Sequence, residues 1–548
     1  MKKPNILLLF PDQARHDTIA EAGFPWMKTP ALDRLVREGC LFTRAYTPSP
    51  LCMPARYSLI TGRSPRAHGF FGIQHEPILD AGLPTLPQVL SDHGWATAAV
   101  GKMHFYPPRR HHGFEWMRAM EELPRDRSED DYALALQERG RGEVQNLHGV
   151  RPLLYHEPQA SLVPEELHES HWVDEEAIAW MEKVKHRPFF LMCGWIKPHP
   201  PWDLPPRWQG AYRGSGLPEP ILRSREFPFP AGDNPYYGDG DSPEEKRRIR
   251  EAYYASVSMV DESIGRILAW LEQEGILDDT IILYASDHGE MLQDKGFYQK
   301  TLPYESASRI PLVVRWPQKF TAGSKDDRFA DLCDLFPTIL DLVGLEGGED
   351  PEPRARRFDG ASLVSEATRH RSHQNVSCVS GRDRWSAVRE ARWKYVYFYN
   401  GGTEQLFDLQ DDPGETRNLL NGGTYPPAVL SDLRSRVFAY ESVHGPAGQT
   451  KNGAPIPFPA KALDPASDSN ASCKFPAWAH QHFQRFSDEA PKEITERFAR
   501  EAGLALGSDD PSARIRGMSP GPEWEGRFKE QLKSLGDEGV AGRDLFGE

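Results

Sequence analysis

Five short runs rich in apolar and β-branched residues, 5–10, 96–100, 189–195, 280–285 and 311–315, are each flanked by helical periodicity, and most stop abruptly at a polar residue or a glycine. That alternation restricts the chain to an α/β architecture, a sheet with helices on both faces. A helix is expected over residues 253–274, with Val257, Val260, Ile264, Ile267, Leu268 and Leu271 on one face and Gly275 as its stop, packed under the strand that begins at Thr280. Ligands of open α/β sheets gather beyond the carboxyl ends of the strands. The residues standing there are Asp12 and Gln13, Lys102 with Met103 and His104, Lys197 with Pro198 and His199, and Asp287 with His288.

At roughly 150 residues per domain, 548 residues leave room for several domains and a large core. Lys and Arg number 65 against 80 Asp and Glu, a net charge of −15, which argues against a partner gripped through a basic surface, so neither nucleic acid nor membrane is expected. The opening MKKPNILLLFPDQ has two lysines before an apolar run, but the run is too short for a signal peptide and Asp12 follows at once; it reads as a buried first strand. No stretch of 18 apolar residues occurs. Cys40, Cys52, Cys193, Cys333, Cys378 and Cys473 are scattered without a CxxC pair, which suits a reducing compartment and places the protein in the cytoplasm.

Residues 106–160 are irregular and charge-rich, with Arg109, Arg110, His111 and His112 together, and read as an insertion forming a substrate-facing wall near the strand ends. The Gly/Pro/acidic stretch around 345–357 reads as a linker. Beyond it, 385–399 and 405–409 read as strands of a smaller domain, and from about 445 onward Pro, Ala, Ser and Asp dominate, with one helix near 491–502. The expected division is a catalytic α/β domain over 1–345, a smaller domain over 358–440 and a tail over 445–548.

The sharpest local signal is Leu51-Cys52-Met53-Pro54-Ala55-Arg56, continuing to Thr61-Gly62-Arg63. A lone free cysteine usually packs as a small hydrophobe. With a helix starting near Pro54, however, Cys52 stands at its N-terminus, where unpaired N–H groups favour an anionic nucleophile. Asp12, Gln13, Asp287 and His288 offer mostly hard donors for a divalent cation, Ca²⁺ above Mg²⁺ or Mn²⁺, with His288 leaving Mn²⁺ or Zn²⁺ open. Any one Asp after a strand is more often a cap or Asx-turn; the pairing of two such ends is what points to a metal. Lys102, His104, Lys197, His199 and Lys300 form a cationic set suited to nonbridging oxygens of a sulfate or phosphate and to a leaving alkoxide.

The segment from Cys52 to Arg63 resembles the sulfatase signature, a cysteine oxidised after synthesis to formylglycine, and the resemblance runs over roughly 4–420, including PTILDLVG at 337–344 and LFDLQDDPGETRNL at 406–419. It implies an alkaline-phosphatase-like mixed sheet flanked by helices, with a smaller C-terminal α+β domain and an extra tail. It also implies metal ligation by Asp12, Gln13, Asp287 and His288, and catalytic roles for Cys52, Arg56, Lys102, His104, His199 and Lys300. A geminal hydroxyl of hydrated formylglycine would attack sulfur, His199 and Lys300 would neutralise the leaving alkoxide, and His104 would deprotonate the second hydroxyl to release sulfate. Lys197, in the K-P-H-x-P context, and Arg109 are candidate substrate contacts. The family's further polar residue after the Thr-Gly-Arg segment has Gln74 or His75 as its counterpart here.

The expected activity is hydrolysis of an organic sulfate monoester, small-molecule or saccharide, with a formylglycine-generating enzyme as maturation partner and a homo-oligomer as a possible assembly. GKMHF followed by HGFE resembles choline-sulfatase-like and bacterial carbohydrate sulfatases alike. The rival reading is a phosphonate monoester hydrolase or phosphodiesterase of the same superfamily; a catalytically silent binding protein of the same fold stands further off. Two motifs are set aside. Residues 517–521 spell G-x-S-x-G without a strand-turn-helix context, and His168-Glu169-Ser170-His171 lacks the i, i+4 spacing of H-E-x-x-H.

Overall fold

The computed structural model describes residues 2–460 apart from 74–78, 81, 123, 125–126, 143, 145–146, 150–157, 223–241, 346–357, 365–371, 377–383 and 447–448. A nine-stranded mixed sheet organises the larger part. Its strands are β1 (Asn5–Asp12), β2 (Cys40–Tyr46), β3 (Ala96–Gly101), β4 (Trp116–Ala119), β5 (Phe189–Pro198), β6 (Thr280–Ala285), β7 (Arg309–Ile310), β8 (Leu312–Arg315) and β9 (Ser324–Asp331). The order is β9-β2-β8-β6-β1-β5-β3-β4, with β7 on β2. β6, β1, β5, β3 and β4 run parallel, so their carboxyl ends open on one edge, and β8 is antiparallel to β6.

Strands buried on both faces read as continuous apolar runs, and β1 shows why: Ile6, Leu8 and Phe10 enter one core while Leu7 and Leu9 enter the other. The first core is covered by α2 (Cys52–Thr61) and α5 (Leu335–Leu342). The second is covered by α1 (Pro30–Glu38), α3 (Glu169–Val184) and α4 (Pro243–Gln273). α4 begins ten residues before the expected 253, at a capping box between Ser242 and Glu245. Its first turns, Pro-Glu-Glu-Lys-Arg-Arg, carry no apolar period, so the cap and the acidic first turn mark that end where hydrophobic patterning cannot.

The insertion at 106–160 is less irregular than expected. β4 extends the sheet in parallel with β3, pairing Ala98 with Trp116 and Gly101 with Ala119, and a helix spans Asp131–Glu138. A four-residue strand is too short to display alternation. β9 is also unsignalled, because Ser-Lys-Asp-Asp-Arg lies on a half-exposed edge.

The second sheet is an antiparallel meander of β10 (His373–Val376), β11 (Trp385–Arg389), β12 (Trp393–Phe398) and β13 (Thr403–Asp408), so the run 385–399 is a hairpin. One face carries α6 (Pro427–His444) through Leu430, Leu433 and Val437. The other packs Ala387, Val396, Phe398 and Phe407 onto Met291, Phe297, Tyr304 and Ala307 of the larger part. This contact braces the chain between Met291 and Ala307, which also delivers Lys300 to the strand ends. The expected 491–502 helix and most of the tail lie outside the described residues.

Candidate active site

β1 and β6 are adjacent and parallel, which brings Asp12 and Asp287 together across 274 intervening sequence steps: Gln13 N–H donates to Asp287 Oδ1 at 3.0 Å. Both carboxylates are fully buried. α2 starts at Cys52, with Leu51 as its N-cap, so Cys52 and Arg56 lie one turn apart on the same face. Arg56, also fully buried, spans the two acids, with Nε at 2.9 Å from Asp287 Oδ2 and Nη2 at 3.3 Å from Asp12 Oδ2. Its Nη1 donates to the Lys102 carbonyl at 2.8 Å.

Each carboxylate thus gives one oxygen to Arg56 and turns the other to the centre. His288 Nε2 lies 3.8 Å from Asp12 Oδ1, 3.7 Å from Asp287 Oδ1 and 3.2 Å from Cys52 Sγ, which is itself 3.9 Å from Asp12 Oδ1. One ligand atom from each of Asp12, Cys52, Asp287 and His288 lies within 4.8 Å of the others. Two buried carboxylates that turn their second oxygens to a common point could hold a cation there. A donor set of two carboxylates and an imidazole, with the Gln13 carboxamide alongside, fits a divalent metal. Gln13 sits in the left-handed region at φ 66°, a costly conformation for glutamine; its Oε1 accepts from Lys300 Nζ at 2.7 Å and its Nε2 meets Glu290.

Lys102 follows β3 directly. Gly101 has φ +90°, and a Cβ there would fall 1.9 Å from the Gly194 carbonyl, so glycine is required for the chain to turn this tightly beside β5. Lys102 Nζ lies 2.5 Å from Asp12 Oδ2 and also contacts Glu122. His104, at φ 54°, has its backbone N–H held at 2.8 Å by Glu121. His199 Nε2 faces Glu122 at 3.5 Å, and its Nδ1 is 2.6 Å from the Pro200 carbonyl.

Burial alone would raise the Asp12 carboxyl, but Lys102, His199, Arg56 and Lys300 together hold it well below the usual carboxylate range. Burial, aided by Lys102 and Arg56, keeps His104 well below the ordinary histidine value; burial also brings His288 down to about 4. Both imidazoles are therefore neutral near pH 7, able to accept a proton or a metal. The unmodified Cys52 thiol is pushed up to about 11 by burial and by Asp12.

Asp12, Gln13, Cys52, Arg56, Lys102, His104, His199, Asp287, His288 and Lys300 are therefore joined in one buried network. Two other candidates are engaged elsewhere. Lys197 Nζ is held by Asp203 Oδ1 at 2.5 Å, the Pro201 carbonyl at 2.7 Å and Glu169 at 3.6 Å. Arg109 pairs with Asp131 at 3.0 Å and bonds the Glu129 carbonyl. Gln74 and His75 lie outside the described residues, as does 517–521. His168 and Glu169 open α3, where His168 caps the Ser170 N–H and Glu169 meets His148 and Lys197; His171 sits by Glu165 and Glu262, which Arg207 bridges.

Sequence patterns did not single out Glu121, Glu122 or Glu290. Glu290 takes the Leu292 and Gln299 N–H groups at 3.0 and 2.6 Å as well as the Gln13 side chain, and burial pushes it up to about 7. Its place in Ser-Asp-His-Gly-Glu is a signal that could have found it. Glu121 and Glu122 carry no such signal in a charge-rich insert.

Acidic and imidazole donors interleaved with Arg56, Lys102 and Lys300 could hold a metal ion and an anionic ester together, the arrangement of a metal-dependent ester hydrolase. Residues 4–345 match the family profile described as Sulfatase, and residues 293–441 match that described as N-sulphoglucosamine sulphohydrolase, C-terminal. An arylsulfatase of Clostridium perfringens is 30% identical over 456 residues, covering 78% of this chain and 92% of that protein. A choline-sulfatase of Rhizobium meliloti is 30% identical over 512 residues, covering 85% and 95%. The crystal structure of a phosphonate monoester hydrolase of Agrobacterium radiobacter superposes with a TM-score of 0.66 at 23% identity, covering 83% of this chain and all of that one. The chain belongs to the sulfatase family. It is a sulfuric ester hydrolase on the alkaline-phosphatase fold.

Proposed function

We infer that the protein hydrolyses a small-molecule or saccharide sulfate monoester with a formylglycine made from Cys52. The observation that carries this is the placement of Cys52 Sγ, at the first turn of α2, 3.2 Å from His288 and 3.9 Å from Asp12. A thiol raised to about 11 is a poor nucleophile, and conversion to a hydrated aldehyde supplies a hydroxyl for attack on sulfur and a second for expelling sulfate. Asp12, Gln13, Asp287 and His288 would hold the metal, Ca²⁺ by preference, whose charge would stabilise the attacking oxygen.

The chain's own groups divide the remaining work. Arg56 locks the two acids in register and offsets their charge. Lys102 and Lys300 bind nonbridging sulfuryl oxygens. As the sulfur–oxygen bond to the alcohol breaks, His199 Nε2 gives a proton to the departing alkoxide. Neutral His104 accepts the proton from position 52 that allows sulfate to leave. Maturation requires a formylglycine-generating enzyme. The buried cysteines Cys52, Cys193 and Cys333 carry free thiols, which suits a reducing compartment such as the cytoplasm.

Matched nitrophenyl sulfate, phenylphosphonate and phosphodiester substrates test the reading. We expect the highest kcat/KM for the sulfate, because three nonbridging oxygens meet the cations and a diester's second carbon substituent would crowd Lys102 and His104. A higher value for the phosphonate or diester would transfer the assignment to the phosphonate monoester hydrolases.

A further inference from the structure

One group does not suit a pocket built for an anion. Glu122 contacts Lys102 Nζ, lies 3.5 Å from His199 Nε2, and places an oxygen within 4.8 Å of both Cys52 Sγ and a His104 ring nitrogen. Its side chain is 10% exposed, so it faces the interior of the site. In the reading above, Lys102 meets a sulfuryl oxygen and His199 meets the bridging oxygen. A group touching both stands beside the ester linkage, where the first carbons of the alcohol leave the sulfuryl site.

An ionised carboxylate there only accepts hydrogen bonds. It repels a second anion on the alcohol and gains nothing from an aryl or alkyl edge. A hydroxyl or ammonium on the carbon next to the ester carbon would reach it as a charge-assisted donor. We propose that Glu122 is a specificity-determining residue that selects sulfate esters carrying a hydrogen-bond donor on the carbon adjacent to the esterified one. The proposal rests on the sulfatase reading and narrows its substrate class to vicinal hydroxy or amino sulfates, the pattern of sulfated sugars and amino alcohols.

The test uses the mature enzyme with trans-2-hydroxycyclohexyl sulfate, its 2-methoxy analogue, its 2-amino analogue and nitrophenyl sulfate. The wild type should favour the hydroxy over the methoxy ester by about 10- to 100-fold in kcat/KM, the range of a charged hydrogen bond. Glu122→Met, which removes the acceptor, should bring that ratio to within about threefold; Glu122→Gln, which removes only charge, should reduce the preference for the amino ester more than that for the hydroxy ester. A wild-type ratio near one overturns the proposal whatever the variants do. So does an equal fall on both cyclohexyl esters in Glu122→Met, which would make Glu122 a support for Lys102 and His199. Turnover of nitrophenyl sulfate separates these results from failure of the sulfatase reading, which would remove activity on every sulfate.

Discussion

Lys102 and Lys197 stand at the ends of adjacent parallel strands, both are fully buried, and the two have opposite surroundings. Lys197 is closed in by Asp203, Glu169 and two backbone carbonyls. Lys102 shares Asp12 with Arg56 and meets Glu122 beside Cys52 and His104. Each lysine meets two carboxylates, but those of Lys102 belong to the clusters that hold Cys52 and His104, where an incoming anion would be met, and those of Lys197 do not.

The largest effect expected is on the two acids that Arg56 spans. Chelation should lower turnover by at least about 10³-fold and a divalent ion should restore it, while Asp287→Ala should lose comparable activity that no added ion restores. Retained activity in demetallated protein would exclude the metal site.

Swapping the two lysines for methionine breaks the comparison directly. Lys102→Met should cost about 10²-fold in kcat/KM, with less destabilisation than Lys197→Met because Asp12 keeps Arg56 and Glu122 keeps His199. Lys197→Met should cost about 3–5 kcal/mol of stability in denaturant titrations, because Asp203 and Glu169 would stay buried without their cation. Equal stability losses would erase the distinction.

The smallest effect is in pH dependence. Burial would raise Glu169, but Lys197 and His148 bring its folded pKa below the ordinary value, and Asp203 is likewise lowered. Their stabilisation is therefore complete above the unfolded carboxylate range, about pH 4, and is lost as pH falls through the depressed folded values. In Lys197→Met burial dominates, the folded values rise above the unfolded ones, and the sign reverses: part of the lost stability should return between pH 7 and 5. Urea midpoints measured across that window in both proteins check this; a variant that only weakens further on acidification would contradict it.

The same two lysines show what the sequence reveals. Both follow apolar strands, and a parallel sheet converts strand ends into neighbours, so Asp12, Lys102 and Asp287 were legible from runs 270 and more residues apart in places. Burial of both strand faces produced that legibility. Which way a side chain turns after the strand depends on partners from other segments. Asp203 claims Lys197 and Asp131 claims Arg109, contacts with no local pattern. Glu122 was hidden for the same reason, since its meaning comes from Lys102 and His199. The edge strand β9 was missed because its polar residues face solvent, and the start of α4 because a cap defines it.

Position 52 offers the most direct measurement. Mass spectrometry of the peptide containing residue 52, from preparations spanning a range of specific activities, should show an aldehyde in place of the thiol in proportion to turnover, and Cys52→Ala should fold but not turn over. Fully active protein carrying an unmodified Cys52 would contradict the account.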